Sequence, residues 1–244
     1  MSIAILILAG GLGKRMKSHI PKVLHKINEY SILGNIINKI SDNLDNDIFI
    51  VTGKYHSLIK ETLQKELVMT ESNLKYVSQE KSLGTGHALQ CGFDSIKNYY
   101  GVIVINGDVP FINIDNLREI ITNYKQDSLL GICQMPILQP EYHGHGRIIL
   151  SNGKIMKIVE AKDCNAEEIK INIINGGLYY FRMDILSKFI NKLDNNNKQK
   201  EYYITDFIDL FVDNNYTVSP IFMNKNDILN INTPEQLTIA KDLI

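Results

Sequence analysis

The run Ile3-Ala4-Ile5-Leu6-Ile7-Leu8 ends at Ala9-Gly10-Gly11-Leu12-Gly13. A continuous apolar stretch without alternation is what a strand covered on both faces requires, and the central strands of parallel sheets are covered in this way. The glycines allow a sharp turn at the strand end and let successive N–H groups point inward, forming a nest for an anion. Lys14, Arg15 and Lys22 add positive charge close by. Such a loop suits a triphosphate. It does not match G-x-x-x-x-G-K-[ST], and Met16 stands where G-x-G-x-x-G would place its last glycine. Taken alone, the loop also reads more plainly as a glycine turn followed by solvated cations.

Helical periodicity near 32–44, 56–67, 85–96 and 114–124 is interleaved with strand-like runs at 48–52, 74–77, 102–105 and 129–134. This alternation predicts an α/β fold, with a Rossmann-like, mostly parallel sheet and helices on both faces. After Pro136 the segments become shorter and β-like (147–150, 154–159, 171–181), broken by turn residues and a charged stretch at 162–168. They predict a smaller β-rich lobe over the carboxyl edge of the sheet. Helices near 184–192 and 203–212, a strand at 218–223 and a helix from Pro234 follow, and the Asn-rich stretch 194–197 reads as an exposed loop tip.

Size and charge narrow the function classes. A compact chain of 27.8 kDa exposes about 11,000 Å² against about 40,000 Å² unfolded, so a core forms without covalent staples. Lys+Arg 26 against Asp+Glu 27 gives a net charge of −1, which provides no global field for nucleic acid. The three cysteines, Cys91, Cys133 and Cys164, are odd in number and lack a C-x-x-C pair. That excludes a disulfide framework and a cysteine zinc site, and fits a reducing compartment. The first apolar run has seven residues and no basic stretch before it, so it fails as a signal peptide. No run approaches the roughly 20 apolar residues of a membrane span. The expectation is a cytoplasmic protein without nucleic-acid or membrane partners.

Asn106-Gly107-Asp108-Val109-Pro110 closes the strand at 102–105. In open α/β sheets ligands bind outside the carboxyl ends of the strands, which makes Asp108 a candidate magnesium ligand. Mg²⁺ takes one or two protein oxygens and completes its shell with phosphate and water, so a second ligand can come from a distant segment. The alternative is an Asx turn before Pro110. Gln79 and Leu83-Gly84-Thr85-Gly86-His87-Ala88 follow the strand at 74–77. Glycines there permit close approach of a planar base, and a glutamine amide can pair with a base edge. His87, on the first turn of a helix, reads as structural. His143 and His145 have no third ligand at helical spacing, and neither G-x-S-x-G nor H-E-x-x-H occurs.

Together these motifs resemble the nucleotidyltransferase family of sugar-nucleotide pyrophosphorylases, most closely the uridyltransferase half of the bifunctional bacterial N-acetylglucosamine-1-phosphate uridyltransferases. The resemblance covers nearly the whole chain. It rests on LAGGLGKRM with PKVLH, Gln79 with LGTGHA, GDVP, HGRI with IVEAKD, INGG, Glu201 to Asp206, and Asn232. It implies the nucleotide-diphospho-sugar transferase fold over 1–244, with a nucleotide-binding half at 1–136 and a sugar-binding lobe with C-terminal elements at 137–244. By the same resemblance, Leu8, Ala9, Gly10 and Gly11 wrap the nucleotide, Arg15 and Lys22 hold phosphates, and Gln79 reads the uracil edge. Gly84 and Thr85 flank the base, and Asn106 and Gly107 lie beside the ribose. Asp108 and Asn232 hold Mg²⁺, while Gly146, Glu160 and Asn175 contact the amino sugar. The implied substrates are UTP and N-acetylglucosamine-1-phosphate, with Arg15, Lys22 and Asp108 as catalytic groups. Asn106 replaces the aromatic residue expected before GDVP. The sequence given ends at Ile244, without the left-handed β-helix of the bifunctional enzymes, so acetyl transfer is not expected. Other readings are a nucleotidyltransferase for dTTP or CTP with another sugar or polyol phosphate, and a non-catalytic sugar-nucleotide sensor. The oligomeric state is left open.

Overall fold

The computed structural model describes residues 2–67, 74–136 and 139–243. The first strand, β1 (Ile3–Leu8), is followed by a two-residue ladder, β2 (Lys26–Ile27) with β3 (Tyr30–Ser31), which feeds α1 (Ile32–Ser41). Ser31 caps that helix, its side chain accepting from the Gly34 N–H. Then come β4 (Ile48–Thr52), α2 (His56–Glu66), β5 (Leu74–Ser78), α3 (Thr85–Ile96), β6 (Gly101–Asn106), α4 (Ile114–Thr122) and β7 (Ser128–Gln134). The second half supplies β8 (Arg147–Ser151), β9 (Lys154–Val159), β10 (Ile173–Arg182), α5 (Met183–Phe189), α6 (Asp206–Asp213), β11 (Val218–Phe222) and α7 (Pro234–Asp242).

The main sheet has the order β11-β7-β10-β6-β1-β4-β5, with β8 paired to β10 and β9 to β8. β1 pairs in parallel with β4 on one edge and β6 on the other. Ile3, Ile5 and Ile7 enter one core with α1, α2, α4 and α7, while Ala4 and Leu6 enter a second core with α3, α5 and α6. Helices therefore cover both faces, and each position of β1 is required to be apolar. No helix among the described residues is long and apolar enough to cross a membrane.

One expectation changes. The segment predicted as a strand of the smaller lobe, 171–181, forms β10 inside the main sheet, antiparallel to both β6 and β7. Leu178 and Tyr180 face one core and Tyr179 and Phe181 the other. A strand buried on both faces has the same apolar signature in either direction, which hides its partners from the sequence. The smaller lobe is the β8–β9 hairpin, joined to β10 through Ile174 opposite Arg147. Residues 137 and 138, at the expected boundary between halves, lie outside the described residues.

α6 brings acidic side chains against this hairpin, and Asp209 accepts from the Ile158 N–H at 3.3 Å. Burial, reinforced by Asp209 and Glu160, pushes the Asp206 carboxyl up to about 7. Burial raises Asp209 to about 6 against the Ile158 N–H and Lys157, which favour its charged form. A raised carboxyl pKa means the folded chain keeps a proton that the unfolded chain has lost. Stability contributed at low pH therefore falls as pH rises from the ordinary 3.8 through these raised values. Asp206→Asn is expected to stabilise the protein against urea near pH 8 and to change little below pH 4. An equal effect at both pH values would contradict this assignment.

Candidate active site

Leu8 and Asn106 are paired at the carboxyl ends of β1 and β6, and the loops leaving β1, β5 and β6 meet there. Two adjoining cavities open at this edge, one of about 510 Å³ beneath the glycine loop and one of about 250 Å³ under the hairpin lobe. Arg15, Thr85, Asn106, Asp108, Gln199, Glu201 and Asn232 line both and form their common wall.

Lys22 starts a short 3-10 turn after Pro21. Its Nζ donates to Asp108 Oδ2 at 2.5 Å and to Asn232 Oδ1 at 2.7 Å. The Ile231 N–H donates to the Asp108 carbonyl at 2.9 Å, which locks the two carrier segments together. Asn232 is steadied by its own N–H, which donates to Gln236 Oε1 at 2.8 Å, just before Thr233 caps α7. The oxygens of Asp108 and Asn232 thus converge on one positive charge, the Lys22 ammonium.

The larger cavity contains Leu8, Gly10, Gly11, Gln79 and Gly84, together with Lys22 and Arg15. A Cβ on Gly10 would lie 2.7 Å from Gln79 Oε1, so a side chain here would have to displace this amide. Gly84 sits at φ +115°, where a side chain would meet the Tyr202 backbone. Three bonds tie this loop to the second half: Gly86 N–H to the Tyr202 carbonyl (2.8 Å), Tyr202 N–H to the Leu83 carbonyl (2.8 Å) and Ile204 N–H to Thr85 Oγ1 (3.0 Å).

In the smaller cavity, Glu160 accepts from Thr205 Oγ1 at 2.9 Å. Burial raises the Glu160 pKa, and the Thr205 hydroxyl opposes that shift. Asn175 donates to the Tyr179 hydroxyl at 2.6 Å and accepts from the Gly177 N–H at 3.0 Å. Its side chain shapes the bulge in β10 as well as lining the cavity. His145 Nδ1 donates to the Asn175 carbonyl at 2.8 Å, and burial lowers its pKa. No cluster of three or more His, Cys, Asp or Glu side chains positioned for a metal occurs among the described residues.

Ala9, Gly107 and Gly146 line neither cavity. Ala9 N–H donates to the Val51 carbonyl (2.8 Å), Gly107 N–H to the Leu8 carbonyl (2.9 Å), and the Gly146 carbonyl accepts from Asn175 N–H (2.9 Å). Gln199 and Asn230 are cavity residues that the sequence did not mark, and His145 and Tyr203, which it placed in motifs without a site role, line the smaller cavity as well. The Asn-rich stretch is more than a loop tip. Asn197 Oδ1 accepts from the N–H groups of Gln199 and Glu201, both at 3.2 Å, and folds these residues into the common wall.

A model of the nucleotidyl transferase family matches residues 4–233. The chain belongs to the nucleotidyl transferase family. It is 37% identical over 246 residues to a protein of Clostridium novyi (strain NT) named Bifunctional protein GlmU, across 98% of this chain and 51% of that protein. The chain thus spans about half the length of the curated relatives it matches. A structure of UDP-glucose pyrophosphorylase complexed with UDP-glucose superposes with a TM-score of 0.76 at 20% identity, covering 100% of this chain and 98% of that one. A putative glucose-1-phosphate thymidylyltransferase from Bacillus anthracis does so at 0.74 and 21%, covering 99% and 95%. These likenesses share the nucleotide-diphospho-sugar transferase fold with this nucleotidyl transferase.

The loop that carries His145 depends on Arg147. This side chain is 1% exposed and donates to the carbonyls of His145, His143 and Ile169. Arg147→Met leaves these carbonyls without their donor and is expected to cost about 3 kcal/mol of folding stability, measured by urea unfolding. An unchanged transition midpoint would show that the three bonds contribute nothing net.

Proposed function

We propose that this nucleotidyl transferase forms UDP-N-acetylglucosamine and pyrophosphate from UTP and N-acetylglucosamine-1-phosphate with Mg²⁺. The observation that carries the reading is the common wall between two cavities, where Arg15, Asp108 and Asn232 meet and Lys22 bridges the last two. The larger cavity takes the nucleotide and the smaller takes the sugar phosphate, which places the reacting phosphates at that wall. A sugar-phosphate oxygen bonds to the α-phosphorus of UTP while the bond from that phosphorus to the α–β bridging oxygen breaks. Pyrophosphate leaves with the bonding pair. The attacking phosphate is already ionised near pH 7, so no side chain has to remove a proton.

Catalysis then consists of positioning and of charge placed where charge develops. Arg15 and Lys22 supply fixed positive charge. Asp108 and Asn232 would hold the magnesium ion, a hard cation suited to two oxygen donors plus phosphate, and the ion would neutralise phosphate charge. Glu160 and Asn175 face the sugar. The oxygen of Glu160 not bonded to Thr205 is available to a hydroxyl or to the acetamido N–H.

Pyrophosphate release tests the reading directly. It is expected with UTP, Mg²⁺ and N-acetylglucosamine-1-phosphate, and glucose-1-phosphate is expected to be poorer by up to about 10⁴, because polar groups built for the acetamide are left unpaired. Equal kcat/KM for the two sugars would refute the amino-sugar assignment, and turnover only with dTTP or CTP would refute the choice of nucleotide. Lys22→Ala is expected to lower kcat by about 10² to 10³, as for loss of one preorganised donor. A change confined to KM would assign Lys22 to ground-state binding instead.

A further inference from the structure

Gln79 is 4% exposed and sits beneath the glycine loop. Its amide nitrogen lies 3.0 Å from the Gly84 carbonyl and 3.0 Å from His87 Nδ1. A carbonyl can only accept, so the Gly84 contact fixes which end of the amide is NH₂. The remaining amide hydrogen points at His87, whose Nδ1 must present its lone pair, so the imidazole hydrogen sits on Nε2. Cys91 Sγ is 3.8 Å from both ring nitrogens, farther than the amide, so Gln79 is the closer partner of Nδ1. Both amide hydrogens are thereby used within the protein. Oε1 has no donor among the described residues and lies beside Gly10 in the larger cavity.

We infer that His87 is a positioning residue for nucleobase choice: by accepting the second hydrogen of Gln79, it holds the amide so that only an oxygen faces the base. An oxygen there matches a base that presents a ring N–H, as uracil and thymine do at N3, and opposes cytosine, whose N3 carries a lone pair. The inference rests on the proposed role of the larger cavity as the nucleotide site and adds the residue that sets the polarity of its reading group. It also gives His87, which the sequence alone presents as structural, a bearing on specificity.

The test compares UTP and CTP, by calorimetric binding and by kcat/KM, in wild type, His87→Leu and His87→Asn. Leucine removes the acceptor, whereas asparagine can place Oδ1 where Nδ1 stood. In His87→Leu the UTP-to-CTP preference is expected to fall about tenfold, the worth of one hydrogen bond, with the change in KM and binding rather than in kcat. His87→Asn is expected to restore most of the preference. Melting temperatures establish that both variants are folded. A folded His87→Leu with an unchanged preference overturns the inference, and so does an asparagine variant no better than leucine. If the wild type binds UTP over CTP but turns over no sugar phosphate, the proposed function fails while the binding comparison still decides the role of His87.

Discussion

Burial of β1 on both faces, with parallel partners on both edges, leaves this strand no freedom of position. Its ladder continues past the strand end, because Ala9 N–H donates to the Val51 carbonyl and Gly107 N–H to the Leu8 carbonyl. The first residues of both loops are therefore held by the sheet before any loop-specific contact forms. This explains why Ala9 and Gly107, although inside the signature motifs, face away from the cavities. They extend the rigid frame, and the neighbours Gly10 and Asp108 receive an accurate position from it. A wall built from strand ends is more precise than one built from free loops, which suits chemistry that depends on positioning.

Lys22 shows what that precision serves. Its partners Asp108 and Asn232 lie 86 and 210 positions away, so the contact joins the beginning, middle and end of the chain. The ammonium and the carboxylate are each about one-seventh exposed, and their attraction is only partly screened. The arrangement holds two oxygen donors near one point while keeping a cation between them. Under the proposed function, Asp108 and Asn232 would be the residues that hold a divalent ion, and Lys22 would then be free to pair with phosphate. The anchoring of Asn232 through Gln236 and the Thr233 cap gives the terminal helix α7 a share in this geometry.

The sequence made the strands easy to read wherever they were continuously apolar, and the loops wherever glycine, proline and charge coincided. β1, β4 and β6 and the motifs around Gly10, Gln79 and Asp108 were legible for that reason. The two-residue pairing of β2 with β3 was too short to leave a periodic trace. The partners of β10 were invisible because an apolar run reports burial on both faces and says nothing of direction. Gln199 and Glu201 reach the cavities through backbone bonds to Asn197 and through the stitching of Tyr202 to Leu83, and no residue spacing encodes such contacts. The orientation of the Gln79 amide was equally out of reach, since it depends on a carbonyl and a ring nitrogen whose placement only the folded chain defines.

The reversal of β10 accounts for the adjacency of the two cavities. The last pair between β10 and β6 is Leu178 with Ile105, so Asn175, Gly176 and Gly177 run past the end of β6 and over the turn that carries Asp108. On the other edge of β10, the five residues from Asn175 to Tyr179 span only the three from Ile132 to Leu130 of β7, and the surplus backbone is taken up as a bulge. Asn175 stabilises that bulge by accepting from the Gly177 N–H, while its backbone carbonyl holds His145 and its N–H holds Gly146. A parallel strand in this position would bring its amino end to the sheet edge where β6 begins, and the hairpin lobe, which joins β10 at its amino end, would attach on the opposite side of the molecule. Running antiparallel, β10 carries the lobe and the smaller cavity to the same edge as the glycine loop, so that one wall serves both.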